Sequence, residues 1–304
     1  MRRRVLIKSA AAALALAPVA AFAAGGGALP LKHEHWHFKG PFGTYDREAM
    51  QRGFQVYKTV CASCHGLNQL AFRNLGDKGG PFYLEECPEG VPETTNCKVP
   101  AENPVVKAIA AEYTVKDGPD DLGEMFDRPG LPSDKFPKPF ANEQQARAAN
   151  GGAYPPNLAL ITKARHHGPD YVYSLLTGYE QAPDTVVLGP GQNYNPYFPG
   201  DMSQLLKPEY RDAEGHPLDS VEVPPGGVLA MAPPLSDGVV DYADPAIPET
   251  VDQYAKDVVE FLTWASEPKM EVRKSLGVVT VGYLLILTII LFFSYRAIWS
   301  KVDH

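Results

Sequence analysis

Residues Cys61, Cys64 and His65 stand in a C-x-x-C-H arrangement, Cys61-Ala62-Ser63-Cys64-His65. Two thiols three positions apart lie on one face of a helical turn, where both can add across the two vinyl groups of a haem. His65 then falls under the iron as its first axial ligand. A zinc site or a thioredoxin-like C-x-x-C is the competing chemistry, and the cellular compartment and the other residues must separate them. No second C-x-x-C-H occurs, so one haem is expected.

The second axial ligand decides what such a haem does. A histidine gives a low potential, an open position gives gas binding or peroxidase chemistry, and a methionine thioether gives a high-potential electron carrier. Of the six methionines, Met1 goes with the leader, Met50 sits on the helix before the motif, and Met270 abuts the apolar C-terminal run. Met231, Met202 and Met125 remain, with a histidine as a further alternative. Met231 leads, because Ala230-Met231-Ala232-Pro233-Pro234-Leu235 is stiffened by two prolines and precedes the last soluble helix.

These residues need a helical frame. Thr44 or Asp46 can cap a helix running to about Cys61, with Met50, Gly53, Phe54 and Tyr57 on one face. Gly53 costs that helix about 1 kcal/mol relative to Ala, which suggests that another backbone crosses there. The expected partner spans residues 251–266, where Val251, Tyr254, Ala255, Val258, Leu262 and Ala265 recur at helical spacing before Pro268. A third helix is punctuated by Gly168-Pro169 at its start and Gly178 past its end. Strand-like alternation is sparse, and 29 Pro with 27 Gly imply long ordered loops.

The ends of the chain place the haem motif. Arg2, Arg3, Arg4 and Lys8 precede an apolar run and Ala21-Phe22-Ala23, which reads as a cleaved secretory signal over residues 1–23. Export puts the mature chain on the oxidising side of a membrane. There Cys87 and Cys97 are expected to form a disulfide, worth about 2–3 kcal/mol on loop entropy; a four-cysteine zinc site would leave His65 unexplained. Residues 275–295 are 21 positions without a charge, from Ser275 to Tyr295. At about 1.5 Å per residue they cover roughly 30 Å, the thickness of a bilayer's hydrocarbon. Residues 24–274 are then an extracytoplasmic haem domain, 275–295 a single anchor and 296–304 a cytoplasmic tail, with Arg296 and Lys301 obeying the positive-inside tendency.

Without the leader's four basic residues, 28 Lys and Arg fall to 24 against 36 Asp and Glu, about −12 overall. Such a surface disfavours nucleic acid and speeds encounter with basic proteins. His33-Glu34-His35-Trp36-His37 has metal-ligand residue types, but the expected role is packing by Trp36 and His37 rather than metal binding.

Several stretches together resemble the cytochrome c1 family. They are Arg52-Gly53-Phe54-Gln55-Val56-Tyr57 before the haem motif, Ala148-Ala149-Asn150-Gly151-Gly152-Ala153-Tyr154-Pro155-Pro156-Asn157-Leu158, and Lys163-Ala164-Arg165-His166. They continue through Asp170-Tyr171-Val172-Tyr173-Ser174-Leu175-Leu176-Thr177-Gly178-Tyr179, Asn195-Pro196-Tyr197-Phe198-Pro199-Gly200, Met231-Ala232-Pro233-Pro234 and Trp264-Ala265-Ser266-Glu267-Pro268. The resemblance implies a mostly α fold: a cytochrome c-type haem domain with long loop insertions, plus one C-terminal transmembrane helix. It makes Cys61 and Cys64 the thioether pair of one covalent haem c, and His65 and Met231 the axial ligands. Arg165 resembles the residue paired with a haem propionate and Tyr171 a pocket neighbour. Asn150, Pro155, Pro156, Leu176, Phe198 and Pro234 resemble the pocket lining. From the residues alone, a surface pairing of Arg165 with Asp170 is equally open. Relative to shorter family members the chain carries an acidic, proline-rich insertion between Gly200 and Met231, and the Cys87–Cys97 loop is no general family feature.

The resemblance implies a redox subunit of a dimeric, quinol-oxidising membrane complex. It would accept an electron from a Rieske iron–sulfur protein, pass it to a soluble cytochrome c, and dock on cytochrome b. No acid–base pair for bond-making chemistry is then required. A membrane-anchored peroxidase or gas sensor is the alternative class, and a free-standing tethered carrier is a nearer one. Almost no linker separates Trp264 from the anchor, which favours fixed docking.

Overall fold

A computed structural model describes residues 27–300. The expected signal at 1–23 and the tail residues 301–304 lie outside the described residues. The frame is two crossed helices. Asp46, rather than Thr44, caps α1 (Arg47–Val56), its carboxylate accepting the Ala49 N–H at 3.1 Å. The helix does not continue regularly to Cys61: residues Tyr57–Cys61 form one π-turn, in which the Ala62 N–H reaches back to the Tyr57 carbonyl. Such a widened turn re-aims the side chains that follow it.

The short helices α2 (Pro104–Ala111), α3 (Glu143–Ala149), α4 (Ile161–Ala164) and α5 (Gly168–Leu176) lead to the partner helix α6 (Val251–Ser266). Packing of α1 on α6 confirms the reading of Gly53: a Cβ there would lie 2.0 Å from the Asp257 carbonyl oxygen and 2.8 Å from Phe261 Cβ. The crossing is pinned by Asp257, 1% exposed, whose carboxylate receives Arg52 Nε at 3.0 Å, Arg52 Nη2 at 2.9 Å and the Tyr242 hydroxyl at 2.8 Å. A buried carboxylate is tolerable when its lone pairs are filled in this way. Around the crossing Phe54, Tyr57, Phe72, Phe136 and Phe261 pack ring against ring.

Strand is confined to two antiparallel two-stranded pairs among the described residues. β1 (Thr114–Asp117) pairs with β2 (Phe126–Pro129), Thr114 opposite Pro129. β3 (Asn193–Asn195) pairs with β4 (Gly227–Leu229), Asn193 opposite Leu229. The segment between Gly200 and Met231 is no solvated appendage: Met202 and Leu206 join Val186 and Tyr194 in a second small core, flanked by Tyr210, Val221 and Val223. Cys87 and Cys97 are joined by a disulfide, with Cα atoms 5.3 Å apart.

The start of the described chain is a strap laid along α5. The Lys32 N–H donates to Ser174 Oγ at 2.9 Å, and Lys32 Nζ reaches the Thr177 carbonyl at 3.0 Å. Asp170, 3% exposed, receives Trp36 Nε1, Lys39 Nζ at 2.9 Å and His33 Nδ1 at 3.0 Å. Trp36 therefore packs at a helix end as expected, whereas His37 is exposed.

After Glu267-Pro268-Lys269 the chain enters α7 (Met270–Trp299), 30 residues reaching a mean hydropathy of 2.6 with none of that stretch buried. Its base is bonded to the domain. Lys269 pairs with Asp77 at 3.3 Å, Arg273 with Glu267, and the Tyr45 N–H donates to Glu271 at 2.9 Å. Lys274 Nζ donates to the carbonyls of both Phe38 and Gly43.

Candidate haem site

The π-turn delivers the motif into a single hydrogen-bonded turn, the N–H groups of Cys64 and His65 both reaching the Cys61 carbonyl, at 3.1 and 2.9 Å. Both thiols are free and part-buried. Burial, reinforced by Cys64 beside it, pushes the Cys61 thiol up to about 12. It is held as a neutral thiol, not an exposed thiolate suited to general redox exchange.

His65 is fixed from two sides. Its carbonyl accepts the Tyr57 hydroxyl at 3.0 Å, and its Nδ1 lies 2.7 Å from the Pro156 carbonyl. A carbonyl only accepts, so Nδ1 carries the proton and Nε2 keeps its lone pair. A metal-binding imidazole needs this tautomer and this kind of outer partner. Burial holds the ring's pKa below its usual value, against the raising effect of the Pro156 bond. Alongside, the Leu158 N–H donates to the Gly66 carbonyl at 3.0 Å. Residues 156–158 thus run beside the motif, and Pro155 shares a cavity of about 130 Å³ with Cys64, Tyr154 and Asn157.

The frame continues through α4 and α5 to Met231. Tyr171 on α5 is buried and close enough to Tyr179 to raise its pKa, although burial is the larger cause of that rise. The Tyr179 hydroxyl donates to the Met231 carbonyl at 3.1 Å. Neither Tyr179 nor this bond was singled out from the sequence; its signal was its place at the end of the Asp170–Tyr179 stretch. Asn195 was missed as well: fully buried, it donates to the Leu175 carbonyl at 2.8 Å and accepts the Tyr197 N–H at 3.0 Å, tying the Phe198 loop to α5. Phe198 itself lies against Gly227 of β4. Leu176 packs on the main core from the end of α5, and Pro234 is part-buried just before the core residue Leu235.

The methionines separate by environment. Met202 is 0% exposed inside the second core, while Met50 and Met270 are buried in the first. Met125 is 59% exposed beside the β1–β2 turn. Met231 is part-buried, on a loop bonded to Tyr179. The pairing of Arg165 with Asp170 does not form, since the strap fills that carboxylate. Arg165 is exposed after α4 and has no ion pair among the described residues. Asn150 serves a helix end, its Nδ2 donating to the Ala146 carbonyl at 2.7 Å. His33-Glu34-His35-Trp36-His37 forms no metal cluster among the described residues.

The residues fit a c-type haem. Two free thiols share one turn with an imidazole whose Nδ1 is occupied by a carbonyl, and Arg165 carries an exposed guanidinium with no ion pair among the described residues. A tetrahedral zinc centre would need four ligands, and Cys87 and Cys97 are joined to one another.

The sequence model of the Cytochrome C1 family matches residues 36–302. "Cytochrome c1" of Rhodospirillum rubrum is 40% identical, over 97% of this chain and 96% of that protein. "Cytochrome b/c1" of Bradyrhizobium diazoefficiens is 43% identical over 87% of this chain, which spans only 35% of that longer protein. "Cytochrome b-c1 complex catalytic subunit, mitochondrial" of Candida albicans is 41% identical, over 89% of this chain and 77% of that protein. With the matched region running from the strap through the haem motif and Met231 to α7, the chain belongs to the cytochrome c1 family, haem proteins of electron transfer.

Proposed function

We propose that this chain is the one-haem electron-transfer subunit of a quinol-oxidising membrane complex. It receives one electron from a Rieske iron–sulfur protein and passes it to a soluble cytochrome c. Cytochrome b is its membrane partner, a reading supported by the names "Cytochrome b/c1" and "Cytochrome b-c1 complex catalytic subunit" among its relatives. The family resemblance adds that the complex is dimeric.

The haem supplies the one-electron couple. Cys61 and Cys64 hold it by two thioether bonds, so it is retained through repeated turnover. His65 would offer Nε2 to the iron, with its ring fixed by the Pro156 carbonyl. Met231 would offer its thioether as the second protein ligand, a soft group that would raise the potential. Arg165 neutralises a propionate, and Tyr171, Leu176, Phe198, Pro155, Pro156, Pro234 and Asn150 close the pocket. The clamped His65 beside two free thiols is the observation that carries the reading.

Residues 24–274 form the periplasmic domain of a bacterial inner-membrane protein; 275–295 cross the membrane and 296–304 lie in the cytoplasm. The exposed apolar length of α7 supports the anchor. The test is purification of the tagged full-length chain in mild detergent, followed by a quinol-minus-oxidised difference spectrum. Co-purifying b-type haem and a c-type band reduced by quinol are expected. A lone c-type band that quinol does not reduce, in detergent and in intact membranes alike, would exclude membership of such a complex.

A further inference from the structure

We infer that the loop Lys39–Gly43 is a second membrane contact, in which Phe42 enters the lipid interface beside the anchor. The inference rests on the reading of α7 as the membrane span. Phe42 is 80% exposed, and its neighbours Gly40 and Pro41 are exposed as well. An aromatic ring left this bare is unfavourable in water, since burying such a side chain is favourable.

Its place in the fold identifies what covers it. Both ends of the loop are gathered at one point on α7, because Lys274 Nζ donates to the Phe38 and Gly43 carbonyls together. Lys274 is the last charged residue before the uncharged run at Ser275. Two residues further along the loop strand, the Tyr45 N–H is bonded to Glu271, one helical turn nearer the domain. From Tyr45 to Gly43 the chain therefore moves along α7 toward its apolar run, and the tip Gly40-Pro41-Phe42 hangs from the level of Lys274. The exposed apolar surface of α7 begins at that same level with Leu276, Val278 and Val279. Phe42 continues this surface sideways, where aromatic rings find a favourable place at the boundary of lipid and water. Proline and glycine hold the tip in a turn that can enter the headgroup layer without extended backbone at hydrocarbon depth.

The test is a spin-label accessibility measurement on the whole membrane-bound protein, reconstituted in phosphatidylcholine vesicles. With Cys61 and Cys64 consumed by the haem and Cys87 joined to Cys97, a thiol introduced by Phe42→Cys is the free one. Power saturation should show the label relaxed by oxygen and shielded from a water-soluble nickel chelate. Leu122→Cys, at a position 86% exposed near the β1–β2 turn, should show the reverse. Labels at Leu284, Leu285 and Ile286, placed one at a time, report the anchor separately. A Phe42 label open to the nickel chelate like the Leu122 label would overturn the inference in favour of solvent. A label closed to both reagents would overturn it in favour of a protein partner. Nickel access at all three α7 positions would instead overturn the anchor itself.

Discussion

Substituting Gly53→Ala sets two forces against each other, and the sign of the result decides between them. In a helix considered alone, Ala is better than Gly by about 1 kcal/mol. In the folded chain the added methyl would stand 2.0 Å from the Asp257 carbonyl oxygen, a contact that must open to at least 3.0 Å. Neither backbone can yield locally, so α1 and α6 must separate by about 1 Å in a core packed like a crystal. Overpacking of this kind costs roughly 1–3 kcal/mol. The same displacement stretches the Arg52 bonds to Asp257 from 2.9 and 3.0 Å beyond hydrogen-bond length. Loss of a buried pair accounts for part of a further 3–5 kcal/mol or so. The net expectation is a loss of about 3 kcal/mol, which for a domain of this size is a fall of roughly 6–12 °C in Tm. Far-UV circular dichroism melting of the haem-loaded full chain in mild detergent measures it. A Tm unchanged or raised by a few degrees would mean that propensity prevails, and the crossing described here would be refuted.

Other outcomes follow from the same geometry. Met231→Leu should lower the haem potential sharply while the haem stays attached, and Met202→Leu should leave the potential alone; redox titration of the two variants separates them. Asp170→Ala removes the acceptor for three strap residues and should cost about 2–4 kcal/mol. Trypsin should then cut after Lys32 and Lys39 at rates the native chain does not show. Glu260 is held up to about 7 from an ordinary 4.5 by burial, against the lowering effect of the Asp46 N–H bond and with smaller help from the Asp46 and Asp257 charges. Its folded form binds the proton more tightly, so this stabilisation is complete below about pH 4.5 and is lost as pH rises through about 7. Glu260→Gln keeps an acceptor for the Asp46 N–H and should flatten the decline, gaining up to about 2–3 kcal/mol on the native chain at pH 8. Denaturant midpoints at pH 5 and pH 8 would show no difference in slope if the group titrates normally.

What the sequence discloses depends on how local the cause is. The haem turn, the Asp46 cap, α6 and the apolar length of α7 are legible because spacing and residue type determine them directly. Gly53 was legible for a less obvious reason, since a helix-breaking residue in mid-helix points to a neighbour too close for a side chain. Gly178 lies past the end of α5, as read, but is needed there for a different reason. It reads as a helix terminator, yet its φ is not positive; a Cβ there would meet the Ser174 carbonyl and the Tyr197 ring, each at 2.4 Å. The π-turn was invisible, because widening a helix by one residue leaves no mark in hydrophobic period. The partners of Asp170, Asn195 and Tyr179 come from distant parts of the chain, and no local pattern announces a long-range hydrogen bond. Composition marked the stretch between Gly200 and Met231 as acidic and proline-rich, and a few apolar side chains among its prolines suffice for a core.

The short join between α6 and α7 has a consequence for how electrons travel. A carrier on a flexible tether can visit its donor and its acceptor in turn. Here Lys269, Glu271, Arg273 and Lys274 hold the head to its stalk, so a membrane-embedded α7 sets one height and one tilt for the haem motif. The subunit then behaves as a fixed relay post rather than a messenger. On the function proposed above, a donor and an acceptor must then come to the haem motif, because this chain has no tether on which to swing toward them.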